Sequence, residues 1–382
     1  MKKTIKALAY LILLGMVSCI EPYEKTFKTS SNIIIVEGLI TNDYATTPIL
    51  LKESVPSETG SSRLLPIKGA VVNLLVNGES KIPLNEKTEG EYYLDPTFKG
   101  EIGKKYKLQF TTADGNMYES TEEALPVAVG IKKVSHQLVD KLITDAQGNG
   151  RAGYKLFVDV DDPASQANQY MWGWTIYERQ SVCKTCTGSY YYTTPAPLGS
   201  CVEDAILKRY NNIFDYNCTG NCWDIVRSSD LFISRDEFYN GGTLKSQYVG
   251  KIPVYTFSGA LVEMSQYSIS RTAYDFINLS LQQGVQTGGL ADTPPAQLTG
   301  NIKCLTDPSI NTSGFFVVAG KSKFKYWLDK ADAYEAKVSP LGLFGGRELK
   351  LEPAGPNTTR PPLAPCVNSL TRTNQQPEGW IN

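Results

Sequence analysis

From Ile33 onward the chain sets short apolar runs between turn residues at a spacing that predicts strands. Ile33-Ile34-Ile35-Val36 and Ile49-Leu50-Leu51 are brief and fully apolar. Ala70 to Val76 leads into Asn77-Gly78, a two-residue hairpin signal. Glu91 to Leu94 is a further run. Tyr106-Lys107-Leu108-Gln109-Phe110 then alternates strictly, as a strand with one buried face must, and turns at Asp114-Gly115 into Met117 to Glu119. Strands this closely spaced predict a β-sandwich over residues 32–126, ended by Pro126.

Residues 127–382 read as a larger, second β-rich domain. Ile131 to Val139 is a predicted strand, and Asp145 to Gly150 a loop. Tyr154 to Val160 alternates again and closes on Asp161-Asp162-Pro163. Tyr170 to Tyr177 places bulky residues on both faces and is therefore expected to be buried or to form an interface. The polar, Tyr-rich stretch 181–223 lacks a core-forming pattern and must be held as an insertion by its own cross-links. One helix is predicted, about Ser270 to Gln283, with Ala273, Tyr274, Ile277 and Leu281 on one face, Phe276 and Leu279 beside it, and Gly284 closing its end. Leu298 to Cys304, Gly314 to Ala319 and Lys323 to Trp327 read as three strands. The tail 353–382 is rich in proline, yet Trp380 is expected to pack back on the body. The fold class is mainly β.

The N-terminus changes this picture. Lys2, Lys3 and Lys6 precede an apolar run, Ala7 to Val17, that is too short to span a bilayer and ends in Met16-Val17-Ser18-Cys19. This is the layout of a signal peptide over residues 1–18 with a lipobox, Met16 standing where leucine is usual. Lipidation of Cys19 is expected, with residues 19–31 as a tether and acyl chains inserted in a bilayer without spanning it. Loss of the three lysines would take the net charge from −1 to −4. A mildly acidic chain offers no electrostatic footprint for nucleic acid. No later apolar run reaches the roughly 18 residues of a transmembrane helix.

Seven further cysteines follow: Cys183, Cys186, Cys201, Cys218, Cys222, Cys304 and Cys366. Export would carry them into an oxidising compartment, so all seven are disulfide candidates. The odd number leaves at least one thiol free or partnered outside the chain. The spacings Cys183-x2-Cys186 and Cys218-x3-Cys222 also suit a four-cysteine zinc site. Disulfides are the favoured reading, with no metal or cofactor expected, and the connectivity stays open.

Candidate catalytic chemistry is sparse. His136 is the single histidine, no nucleophile elbow accompanies it, and a position on the surface or an edge strand is expected. Asp159, Asp161 and Asp162, with Asp230, Asp236 and Glu237 as a second acidic group, match no EF-hand spacing. Turn chemistry explains the first group equally well. A non-enzymatic protein is therefore expected. Trp172, Trp174, Trp223, Trp327 and Tyr190, Tyr191 and Tyr192 are candidates for an aromatic platform, core being the alternative. Tyr190 to Tyr192, with Trp223, are the expected contacts to a glycan or peptide ligand.

Several phrases carry a resemblance. The "GAVV", "GEYYL" and "GKKYKLQFTTADGNMY" strands resemble Ig-like or transthyretin-like modules. "FVDVDDPASQANQYMWGWTIYE", "CTGNCWDI", "SQYSISRTAYDFI" and "GGLADTPPAQLTGNI" followed by "SGFFVVAG" resemble the DUF4249 family of Bacteroidota lipoproteins. The ending "APCVNS…QPEGW" fits the same family, with Ser369 where a second cysteine would follow Cys366. The resemblance implies a protein anchored by lipid in the outer membrane, on the extracellular face. It also implies company with an outer-membrane β-barrel, a TonB-dependent transporter, which this protein would serve as a nutrient-capture accessory. A stand-alone glycan- or protein-binding adhesin and a component of an outer-membrane assembly complex are the alternatives.

Overall fold

The computed structural model describes residues 32–381, apart from 57–61, 165–166, 194–198, 238, 286–297 and 356–359. Residues 1–31, and with them the signal-peptide and Cys19 readings, lie outside the described residues. The protein is mainly β, with three helices among the described residues.

Two hydrophobic cores are joined through one continuous path of paired strands. The first core collects the buried sides of Ile33–Thr41, Ile49–Pro56, Val71–Val76 and Lys105–Thr111, including Val36, Leu51, Leu74, Leu108 and Phe110. In the last of these, Tyr106, Leu108 and Phe110 are buried and the residues between them are not, as alternation requires. The Asn77-Gly78 signal does make a hairpin, with both residues at positive φ (51° and 73°), although Val76 pairs with Ser80 across three residues. Ile302, Cys304, Phe316 and Val318 belong to this same core. Residues 32–126 thus do not close it alone.

The two strands expected at 314–319 and 323–327 are a single strand, Asn311–Leu328. Its first half runs parallel to Ile33–Thr41, and its second half pairs antiparallel with Ala260–Ile269. Gly320 does not break it. A Cβ there would collide with the Pro126 carbonyl and lie 2.8 Å from the Ala128 amide nitrogen, so glycine marks where another backbone crosses.

In the second core, Gly150–Asp161 lies between Lys133–Thr144 and Thr243–Pro253. Its buried Tyr154, Leu156, Val158 and Val160 pack against Trp172, Trp174, Val262, Met264 and Leu328. Glu178 and Lys330 form an ion pair within this interior, both side chains fully buried. The long helix runs Arg271–Val285, continuing through Gly284. Ser270 starts it, its hydroxyl accepting from the Ala273 amide at 3.2 Å. Ala273, Tyr274 and Ile277 are buried against Met171, Phe315 and Ala319, so the helix covers the junction of the two cores. Leu281, expected on that face, is 37% exposed.

The 181–223 insertion has a small core of its own, formed by Cys183, Cys186, Tyr191, Tyr216 and Cys222 with Ala364 from the tail. Described residues from Arg347 onward close over it. Arg347 makes two 2.8 Å bonds to Asp215, Ala364 donates to the Asn217 carbonyl at 2.8 Å, and Trp380 packs edge-on against both Trp223 and Trp327.

Candidate functional site

Strand Gln169–Arg179 carries two partners on one edge. Trp223–Arg227 pairs with its residues 175–179, and Phe232–Arg235 with 169–172. Only Gly173 and Trp174 lie between those ladders, whereas four residues, Ser228 to Leu231, lie between their partners. The surplus is forced out as a wide bulge, a device that re-aims side chains. Its base is clamped: Trp174 N–H donates to Ser228 Oγ at 3.0 Å, and Ser228 N–H returns to the Trp174 carbonyl at 2.9 Å.

The bulge is shared by two adjoining hollows of about 390 and 490 Å³. The first is lined by Trp174, Ser228, Ser229, Asp230, Lys251 and Tyr255, the second by Asp230, Leu231, Phe232, Tyr248, Lys251 and Leu281. Ser229, Asp230 and Lys251 border both, so the hollows form one groove. Asp230 and Lys251 approach only to 3.9 Å and remain about half exposed. Phe232 and Tyr248 meet edge to face at 5.1 Å. Gly250 is required because a Cβ there would sit 2.9 Å from Trp174 Nε1, leaving the indole no room across the strand. The Tyr255 and Tyr248 hydroxyls and the Trp174 indole N–H have no hydrogen-bond partner among the described residues. Burial and the nearby Glu178 carboxylate push the Tyr255 phenol up to about 12; burial and Asp230 push that of Tyr248 up as well. Both keep their protons at neutral pH.

A second cleft, of about 480 Å³, opens at the start of the long helix between Arg235, Asp236, Glu237, Arg271, Tyr274 and Asp275. Its buried carboxylate is answered within the protein, and its exposed charges pair as loosely as Asp230 and Lys251 do. Arg235 lies 3.2 Å from Glu237, Arg271 3.8 Å from Asp275, and Asp236 accepts the Asn168 amide at 2.7 Å. The groove is the better candidate because it adds the Tyr248 and Tyr255 hydroxyls, unpartnered among the described residues, and open donors and acceptors are what a ligand engages.

The residues expected from sequence to bind fall elsewhere. Tyr191 and Trp223 are buried, at 2% and 1% exposure, and cannot meet a partner. Tyr190 stacks on Phe214. The Arg360 guanidinium lies over the rings of Tyr190 and Tyr192, at 5.0 and 4.5 Å, while bonding Glu352 at 2.5 and 2.9 Å. The triplet already has its cation, from this chain. Trp172 is a core residue, while Trp174, packed in the same core, also lines the groove. His136 sits on the edge strand Lys133–Thr144, but its ring is half-buried, with Nδ1 2.5 Å from the Tyr326 hydroxyl.

Six cysteines are bonded: Cys183–Cys218, Cys186–Cys201 and Cys222–Cys366. Cys304 is free and buried. The unpaired thiol is thus in the first core, and Cys366 is bonded to Cys222 although Ser369 stands where a second tail cysteine was expected. The sulfurs of Cys183, Cys218 and Cys222 lie within 4.8 Å of one another, yet all three are in disulfides. The acidic groups do not converge either. Asp159 accepts the Ser246 amide, Asp161 pairs with Lys132 at 2.8 Å, and Asp162 is bonded by Tyr170.

Sequence reasoning missed Asp230 as part of a bulge, along with Lys251, Tyr248 and Tyr255. The signal available was Arg-Ser-Ser-Asp between two apolar pairs, which reads as a loop until its register against 169–179 is known. A family model described as a domain of unknown function, DUF4249, matches residues 20–325. The chain belongs to the DUF4249 family. The DUF4249 match takes in the whole groove and five of the six bonded cysteines, stopping short of Cys366. No curated protein matches this DUF4249 chain.

Proposed function

We propose that this protein is a non-enzymatic lipoprotein of the outer membrane of a Bacteroidota bacterium. In this reading Cys19 carries the lipid and the body stands on the extracellular face. There it serves an outer-membrane β-barrel of the TonB-dependent class by capturing ligand in the groove beside Asp230. The observation that carries the reading is the N-terminal pattern: three lysines, a short apolar run and Ser18-Cys19, followed by a polar stretch. The three disulfides support passage through an oxidising compartment. Among the described residues, no helix is long and apolar enough to cross a membrane.

Two measurements test this. Cys19→Ser should move the protein from the membrane to the soluble fraction; retention in the membrane overturns the anchor. Lipidated protein drawn from membranes in mild detergent should bring a β-barrel with it, and recovery of this chain alone removes the accessory role. The open groove also favours a second reading, an adhesin that binds its ligand without a barrel. Such a protein would pass the first test and fail the second.

A further inference from the structure

We infer that the groove around the Ser228–Leu231 bulge binds a neutral oligosaccharide. This deepens the ligand-capture part of the reading above and does not depend on the anchor.

The inference rests on how the polar groups are distributed. A sugar ring presents two kinds of surface: a face of C–H groups, and an equatorial rim of hydroxyls that each donate and accept. The groove presents both counterparts. Tyr248, Phe232 and Leu231 form its apolar half, and aromatic faces, which carry negative charge density, suit C–H groups. Asp230 and Lys251 stand at the border with the polar half. At 3.9 Å and half exposed, their mutual pairing is worth little. That spacing leaves the ammonium donor, and a carboxylate otherwise met only by Ser229 Oγ at 3.5 Å, to take the two partners that neighbouring hydroxyls offer. The Tyr255 hydroxyl and Ser229 Oγ, the latter 3.5 Å from Asp230 Oδ1, add groups that both donate and accept.

Other ligand classes fit less well. A purely apolar molecule would desolvate Asp230 and Lys251 without replacing their hydrogen bonds. An anionic ligand would meet Asp230 at the centre of the groove. A peptide adding to a sheet edge needs a regular row of amides and carbonyls, and here the bulge interrupts the row. A neutral polyhydroxylated chain leaves none of these groups unanswered.

The test is binding of the purified full-length protein to a panel of soluble gluco-, xylo-, manno- and N-acetylated oligosaccharides, with a panel of unrelated peptides alongside. At least one glycan should bind saturably and shift tryptophan fluorescence. Asp230→Asn and Tyr255→Phe, both close in shape to the native residues, should each weaken it roughly tenfold with melting temperature preserved. Tyr192→Ala should leave affinity unchanged. Glycan binding that ignores both groove variants, binding lost only with Tyr192→Ala, binding of peptides alone, or no binding at all would each overturn the inference. Cys19→Ser protein should retain the glycan affinity. A groove that works in a chain whose membrane attachment never depended on Cys19 would sink the anchor and leave this site standing.

Discussion

Placing Glu178 and Lys330 together in the second core strips both of water. Burial pushes the Glu178 carboxyl up and the Lys330 ammonium down, each against the pull of its partner. Such a pair specifies an arrangement more than it stabilises one. Lys330→Met alone, which leaves the carboxylate unanswered, should cost about 3–5 kcal/mol in urea unfolding. Glu178→Leu with Lys330→Met should restore most of that loss. Asp145 presents the opposite balance. Burial would raise its carboxyl, but the amides of Asn149 and Gln147 and the Arg151 guanidinium outweigh it and hold the group at about 2. Its folded pKa is below the unfolded one, so its contribution is present above about pH 4 and is lost as pH falls toward 2. Asp145→Asn should therefore flatten the acid limb of the stability curve in that window, read as melting temperature against pH.

At the level of elements, glycines and cross-links decide what runs on and what stops. Asn311–Leu328 passes beneath residues 126–128 at Gly320, and at Gly314, with φ +91°, it lies against Val36. Gly320→Ala should cost more than about 2 kcal/mol in unfolding, because backbone rather than a movable side chain stands in the way. Tyr154 to Val160 and the long helix were legible in the sequence because one buried face imposes a period. The strand Asn311–Leu328 read as two because its apolar pattern lapses around Gly320, where a close backbone crossing calls for the residue that also suits a strand end. The insertion was legible as a cross-linked body but not in its wiring. Spacing does not encode which cysteine meets which, and Trp380 signalled that the tail packs back without saying that it meets Trp223 at the end of the insertion. The groove was hidden for a related reason, since a bulge exists only relative to a partner strand. The disulfides should differ in effect. Cys222–Cys366 closes a separation of 144 residues and Cys186–Cys201 one of 15. Chain-entropy arguments put the first removal at roughly 1–2 kcal/mol more costly than the second. Urea titration of Cys222→Ala/Cys366→Ala against Cys186→Ala/Cys201→Ala measures the difference.

Across the whole molecule, the first core depends on residues some 180 positions beyond its apparent end. A fragment of residues 32–126 lacks Ile302, Phe316 and Val318 and should fail to give a cooperative melt or a dispersed amide spectrum. The intact chain should melt in a single transition, because Asn311–Leu328 is shared by both cores. The same strand governs how a pull from the N-terminus would be borne. Ile33–Thr41 is the first strand among the described residues, and it is matched to 311–319 in nine consecutive parallel steps. Tension along its axis loads those bonds sideways and all at once instead of peeling them singly. Were the body held by a lipid at Cys19 as proposed, drag by flow would meet its greatest mechanical resistance at the point where the force enters.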